Sequence, residues 1–455
     1  MNLKDRKVLI VGLGRTGEAL CHFLLSKGAR VTVSEKRNEK DLGTAVDFWT
    51  KKGVAVHTGS HPLSLFIESD LIVPSPGVPL LPELEKARLA GIPIISEIEL
   101  AFRFLRGKII GITGSNGKST TATLTHKILK DSHQEVFLAG NIGTPLISFV
   151  QNSADNHLYV TELSSFQLEW IQRFSAFSAV FLNLTLDHLD WHKSWEAYYE
   201  AKKKLVTRLK PEATAVLNRD DPAVWACSQE TSARVLAFSR KKELEKGCFL
   251  KNDWIVLANG EKREVIKKTD IPLLGEHNLE NVMASLLVGV LFSSSPAGMR
   301  DSILEFPGLE HRLEKVLSLN GIDFYNDSKA TNVEAALTAL ASFDKDIILI
   351  LGGRDKGGDF SRLRQPVLEK VKKVLLIGEA RDLIRKELDG SAPLINVNSL
   401  QDAVAKGFAS AEPGDVVLLA PACTSFDMFS NFEQRGSVFK KEVLALQKQV
   451  QNEKN

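Results

Sequence analysis

Short apolar runs alternate with amphipathic stretches along most of the 455-residue chain. KVLIV at 7–11 predicts a strand, GLGRTG at 12–17 a turn, residues 18–27 a helix closed by Gly28, and 30–34 a second strand. An apolar run at 71–73, the loop PSPGVP, a helix at 82–90 and a short run at 94–95 follow. Such alternation predicts a parallel sheet covered by helices on both faces. Residues 97–107 predict a helix that ends this domain. A second series starts at Lys108, with strands expected at 108–113, 158–161, 179–182, 213–217 and 235–238 and amphipathic helices at 195–210 and 278–292. The stretch 241–268 is charged and weakly patterned, and predicts small surface strands and turns. SSSPAG and FPGLEHR form a Pro/Gly-rich break, after which strands are expected at 347–352, 373–377, 393–397 and 415–420. The pattern therefore predicts three α/β domains, at 1–107, 108–306 and 307–455.

Composition narrows the function classes. Apolar residues make up 44% and charged residues 25%, as in ordinary globular proteins. A net charge of +2 gives no general attraction to nucleic acid or anionic membranes. The longest apolar runs are too short to span a bilayer, and the opening MNLKDRKVLIVGLG, which reads as a strand and a turn, predicts no secretory signal. Cys21, Cys227, Cys248 and Cys423 are scattered, which argues against a zinc site or disulfide framework and fits a reducing cytoplasm.

The densest chemistry lies in KIIGITGSNGKSTTATLTHKILK, residues 108–130. A strand, a glycine turn and a helix opening at Ser119 aim backbone N–H groups at one point, which suits an anion. Gly117, Lys118 and Ser119 fit the phosphate-loop pattern G-x-x-x-x-G-K-[ST]; Ile112 stands at its first glycine, and Gly114 supplies the turn instead. Lys118 suits the terminal phosphates of a nucleoside triphosphate and the Ser119 hydroxyl a Mg²⁺ ion. Glu162, at the end of the next strand, is placed to hold the metal, or merely to cap the following helix. NLTLDHLDWH puts Asp187, His188, Asp190 and His192 within six residues after another strand, with His188 the candidate for a metal or phosphate contact. By spacing alone, Lys202, Lys203 and Lys204 read as a solvated helix face. GLGRTG with Glu35 fits a nicotinamide dinucleotide, a nucleotide-sugar diphosphate, or a tight packing turn. Asn278 in GEHNLEN reads as a helix cap or a base contact, and Arg312 as a cation near the domain break. YNDSKATN, LGGRDKGGDF and APACTSFDMFSNFEQRG follow strands of the third domain, so their loops should gather at one sheet edge, where Lys356 is a candidate carboxylate anchor. A phosphate loop, a diphosphate turn and a polar loop cluster together suggest ATP-driven amide formation. A nicotinamide oxidoreductase, an ATP-hydrolysing switch and a folate-type glutamate ligase are the competing readings.

In their order along the chain, TGSNGKST, GNIGTP, ELSSFQL, LDHLDWH, Tyr198-x-x-Ala201-Lys202, GEHNLEN, HRLE, NDSKATN, GGRDKGGDF and SFDMFSNFEQRG resemble the Mur ligase family of peptidoglycan synthesis. NDSKATN, SSFQLE and the SFDxFxNFExRG stretch resemble its D-glutamate-adding branch. The resemblance implies an α/β fold with a Rossmann-like N-terminal domain for a UDP-substrate, a central P-loop ATPase-like parallel sheet, and a Rossmann-like C-terminal domain for an amino acid. It implies a cytoplasmic, monomeric ligase that joins D-glutamate to UDP-N-acetylmuramoyl-L-alanine through an acyl phosphate, without nucleic acid or membrane partners. Lys118, His188, Lys202 and Lys329 would be catalytic. Gly114, Ser115, Asn116, Gly117, Lys118, Ser119 and Thr120 would bind ATP phosphates, and Asn278, Arg312 and Asp327 the rest of the nucleotide. Two Mg²⁺ ions are implied, one on Ser119 and Glu162, the other on His188 and a carbamylated Lys202. Gly14, Arg15, Thr16, Glu35, Arg37, Ser75, Gly77 and Asn141 would hold the UDP-substrate. Thr331, Lys356, Ser425 and Phe432 would receive D-glutamate, while Arg354, where some relatives carry an acid, receives no role.

Overall fold

The structure is a computed structural model that describes residues 1–185 and 189–452. The chain forms two compact units, one of Met1–Ile271 with Leu279–Phe306, the other of Pro272–Asn278 with Pro307–Asn455. The segment Pro272–Asn278, inside the 108–306 range read from the sequence, thus packs with the second unit.

The first unit holds two sheets. Strands β1 (Lys7–Val11), β2 (Arg30–Glu35), β3 (Ala55–Thr58) and β4 (Leu71–Pro74) form a parallel sheet in the order β3-β2-β1-β4. Strand order reverses at β1, and GLGRTG follows β1, so the glycine turn sits at the switch point where open α/β sheets bind ligands. The second sheet contains β5 (Lys108–Thr113), β6 (Val136–Gly140), β7 (Leu158–Glu162), β8 (Ser178–Phe181), β9 (Thr214–Asn218), β10 (Arg234–Ser239), β11 (Lys246–Lys251), β12 (Trp254–Asn259) and β13 (Glu261–Lys267). Their order is β13-β12-β11-β10-β9-β8-β5-β7-β6. Here the reversal falls at β5, immediately before the phosphate loop. The weakly patterned stretch becomes β11–β13, joined to one another antiparallel. Its edge strand EKREVIK is charged and mostly exposed, which discourages edge-to-edge pairing with other chains.

The helix expected at 97–107 spans only Glu97–Phe102. Two of its carboxylates are buried because each satisfies backbone N–H groups of the larger sheet's layer. Glu97 accepts from Ile147 N at 2.6 Å, and Glu99 Oε2 accepts from the N–H groups of Gln172, Arg173 and Phe174. Burial pushes the Glu97 carboxyl up to about 7, against the lowering effect of the Ile147 and Leu146 amides.

The second unit is built on β14 (Glu314–Leu319), β15 (Ile322–Asn326), β16 (Ile347–Gly352), β17 (Val371–Ile377), β18 (Leu394–Asn396) and β19 (Val416–Leu419), ordered β14-β15-β19-β16-β17-β18. β16, IILILG, is buried along its whole length, as a central parallel strand must be. Only β14 runs antiparallel to its neighbour. Because β19 lies between β15 and β16, the loops after these three strands emerge side by side.

Candidate active site

The helix after β5 begins at Lys118 with Gly117 as its N-cap, at φ +81° and with no side-chain cap. Its first-turn N–H groups therefore lack a capping side chain from the N-cap residue. Gly117 cannot be replaced cheaply: a Cβ there would lie 2.2 Å from Asn281 Oδ1. The loop is held from outside. Ser115 N donates to Asn183 O, Asn116 N donates to Asn183 Oδ1 at 2.8 Å, and the Ser115 hydroxyl lies 2.9 Å from Tyr198 OH. Behind it, Thr121 and Thr125 donate to Asn281 and Ser285, forming a polar seam between the helices Lys118–Ser132 and Glu276–Leu291. Ser119 and Thr120 are buried in that first turn.

Two lysines converge on one carbonyl of this loop. Lys118 Nζ donates to Gly114 O at 2.9 Å and to Ser115 O at 2.8 Å; Lys202 Nζ donates to Gly114 O at 2.8 Å. The reading of Lys202–Lys204 as one solvated face is thus corrected. Lys202 is 1% exposed, 4.8 Å from the Tyr198 ring centre, because the helix Trp195–Thr207 turns this position onto the sheet. Lys203 instead pairs with Glu200 and Glu230, and Lys204 with Glu169. Glu162 pairs in register with Ile112, two residues before Gly114. Its Oε1 accepts from Asn141 Nδ2 at 2.8 Å, while Oε2 is buried and has no hydrogen-bond partner among the described residues. A buried carboxylate oxygen beside a phosphate loop fits a hard divalent cation. His188 and Asp187 lie outside the described residues, and Asp190 is placed only as part of the short helix Leu189–His192. His192 is buried and stacks on Phe166.

Asn141 also lines a cavity of about 510 Å³ at the end of β1, together with Gly14, Arg15, Thr16, Glu35, Ser75 and Gly77. Arg15 reaches across it, donating to Gly143 O at 2.7 Å. Ser75 donates to Gly12 O. Arg37, expected in the same group, does not line the cavity; it grips Glu35 and Leu13 O from behind. Burial disfavours the Glu35 charge, yet the side chain and amide of Arg37 and the amide of Leu13 outweigh it and lower the carboxyl to about 2. Both Glu35 oxygens already accept protein N–H groups, so this acid braces the turn. Lys36 and His61, which the motif reading passed over, also line the cavity. His61 lies outside any glycine motif and packs there through a 2.8 Å contact with Ser34 Oγ.

In the second unit, Asn278 is the third residue of its helix and its amide donates to Leu274 O, so it is not the N-cap. Asp327 is buried; burial pushes its carboxyl up to about 6, countered by the Leu313 amide and Arg312. Lys329 Nζ lies 4.7 Å from the Phe432 ring centre, and Thr331 N donates to Lys329 O. Ser425 is buried, whereas Lys356 is exposed. Arg354 forms a two-point pair with Glu379 at the surface. The motif reading also missed Asn183 and Asn281. Both sat inside the quoted motifs, but only packing shows that their amides brace the phosphate loop.

Among the described residues, no helix is long and apolar enough to cross a membrane. Residues 6–96 match the model of the Mur ligase MurD-like N-terminal domain, 112–289 the Mur ligase middle domain, and 311–423 the Mur ligase glutamate ligase domain. The chain is 46% identical to the UDP-N-acetylmuramoylalanine–D-glutamate ligase of Acidobacterium capsulatum, over 98% of this chain and 97% of that one. It is 44% identical to the enzyme of the same name from Koribacter versatilis, over 99% of both. In fold it is similar to a pseudomurein peptide ligase type C from Methanothermus fervidus, with a TM-score of 0.59 at 18% identity, covering 97% of this chain and 100% of that one. The MurF ligase of Thermotoga maritima, solved in complex with ADP, gives 0.58 at 17% identity, covering 97% and 96%. Three matched domains in sequence order, and relatives alike over nearly their full length, place this chain in the Mur ligase family.

Proposed function

We propose that this Mur ligase joins D-glutamate to UDP-N-acetylmuramoyl-L-alanine, with ATP converted to ADP and phosphate, in the cytoplasmic synthesis of a peptidoglycan precursor. One observation carries the reading: Asn141 belongs both to the 510 Å³ cavity and, through its bond to Glu162, to the strand edge that bears the phosphate loop. A substrate whose nucleotide lies against Gly14, Arg15, Thr16, Glu35, Ser75 and Gly77 would end at Asn141, next to the phosphoryl-transfer centre. Arg37 would support that site from behind.

The loop Gly114–Thr120 cradles the ATP phosphates, and Lys118 neutralises charge on the γ-phosphoryl group as the substrate carboxylate attacks it. The bond to ADP breaks and an acyl phosphate forms. The amine of D-glutamate, bound by Thr331, Lys356, Ser425 and Phe432, then attacks the acyl carbon, and phosphate leaves. Asn278, Arg312 and Asp327 take the rest of the nucleotide and Lys329 assists at the phosphate. Ser119 and Glu162 would hold one Mg²⁺, and His188 with a carbamylated Lys202 a second, supplying charge neutralisation when bound. A carbamate on Lys202 keeps one N–H, enough for its bond to Gly114 O. The chain acts as a monomer.

The test is phosphate release from ATP with UDP-N-acetylmuramoyl-L-alanine, scanned across amino acids. Release should require D-glutamate, and L-glutamate should not replace it. Release at the same rate without any amino acid would overturn the reading in favour of an ATPase switch.

A further inference from the structure

Arg435 plays no part in the chemistry above, yet it is one of the most deeply buried ionisable groups in the second unit, at 2% exposure. Each of its three nitrogens donates to a neutral oxygen: Nε to Ser328 Oγ at 3.0 Å, Nη2 to Ser328 O at 2.8 Å, and Nη1 to Cys423 O at 3.1 Å. Among the described residues no carboxylate accepts a hydrogen bond from it. Asp427 acts on it only through space, and its carboxylate accepts from the Glu379 amide instead. Burying an ion without a counter-ion is costly, and a fold keeps one where the charge itself has a use.

The surroundings point to that use. Ser328 stands next to Lys329 and three residues before Thr331, and its hydroxyl donates to Phe432 O at 2.8 Å. Cys423 is two residues before Ser425. Thr424 pairs with Arg354 through both backbone bonds, which draws the LGGRDKGGDF loop against the same point. Gly353 closes the packing: a Cβ there would meet Thr424 O at 2.3 Å and sit 3.2 Å from Arg435 Nη1. The guanidinium therefore lies under the junction of all three loops that carry Thr331, Lys356, Ser425 and Phe432. Burial lowers it only to about 10, so it stays charged at neutral pH.

We infer that Arg435 is a positioning residue for the amino-acid site: it locks the loops after β15 and β19 together and lays an unneutralised positive charge beneath them, matched to an amino acid with two carboxylates. The inference rests on the D-glutamate reading above. The test compares Arg435→Gln, which keeps donors but loses the charge, with Arg435→Lys, which keeps the charge but loses the fork. In Arg435→Gln the KM for D-glutamate should rise about tenfold, the scale of one lost charge-assisted contact, with the KM values for ATP and the UDP-substrate within about twofold. Arg435→Lys should recover most of that loss. Equal rises in all three KM values, an unchanged D-glutamate KM, or a lysine variant no better than the glutamine one would overturn it. Should Arg435→Gln fail to fold by circular dichroism, Ser328→Ala carries the test by removing the hydroxyl between Arg435 and Phe432. It should raise the D-glutamate KM alone, and no rise would overturn the inference. If the wild-type enzyme uses no D-glutamate at all, the functional reading fails instead.

Discussion

The two glycine turns of the first unit share one local plan and differ in charge. Each follows a parallel strand at a switch point and opens a helix. After β1, the Leu13 amide is taken by Glu35, a carboxylate clasped by Arg37, and the turn faces a wide cavity. After β5, neutral amides and hydroxyls brace the turn, and two ammonium groups meet at Gly114 O. In the first, Arg37 balances the buried acid, and Arg15 and Lys36 add positive charge to the cavity wall. In the second, Lys118 is the cation that the proposed reading sets against the transferring phosphoryl group, whereas a carbamate would make Lys202 an anionic metal ligand. Glycine spacing thus sets the backbone shape, and the flanking ionic groups decide the chemistry.

That contrast breaks most sharply at Lys118. Lys118→Ala should cost at least about 10²-fold in kcat, the scale of deleting one charge-stabilising donor. Steady-state turnover near wild type would remove the phosphate-loop assignment. Next, Gly117→Ala should destabilise the protein by about 1–3 kcal/mol in urea melts and suppress turnover, since a side chain there is strained at positive φ. The clash with Asn281 adds to that strain. The matching change in the other turn should be mild. Gly14 has φ −104° and nothing within 4 Å of its would-be Cβ. Gly14→Ala should leave the melt unchanged within about 0.5 kcal/mol and raise only the KM for the UDP-substrate. Equal destabilisation by the two substitutions would erase the comparison.

The smallest effect concerns pH. Glu35 is held near 2 in the fold against an ordinary value of 4.5, so its stabilisation is full above about pH 4.5 and is lost as pH falls toward 2. Glu35→Gln cannot lose it. The wild type should therefore melt higher at pH 7, with the two melting curves converging on acidification. A gap that stays constant from pH 7 to pH 3 would assign the difference to packing rather than to the Glu35–Arg37 charge.

Much was legible from the chain alone because local rules suffice for it. Apolar runs such as KVLIV and IILILG, short and followed by glycine turns, read as strands of a doubly covered sheet, and Gly117 before Lys118 and Ser119 marks a helix start that suits an anion. What the chain could not reveal depended on partners distant in sequence. Three consecutive lysines have equal claims by composition, yet neighbouring helix positions point about 100° apart and only Lys202 meets the sheet. Asn278 and Asn281 stand in one motif, but the former bonds Leu274 in the second unit and the latter braces the phosphate loop in the first. Arg435 drew no reading of its own within SFDMFSNFEQRG, because its partners Ser328 and Cys423 come from loops after β15 and β19. Sequence determines the backbone elements, through periodicity and turn sterics. Burial and hydrogen-bond partners are set by strand order, because each requires atoms that only folding brings within reach.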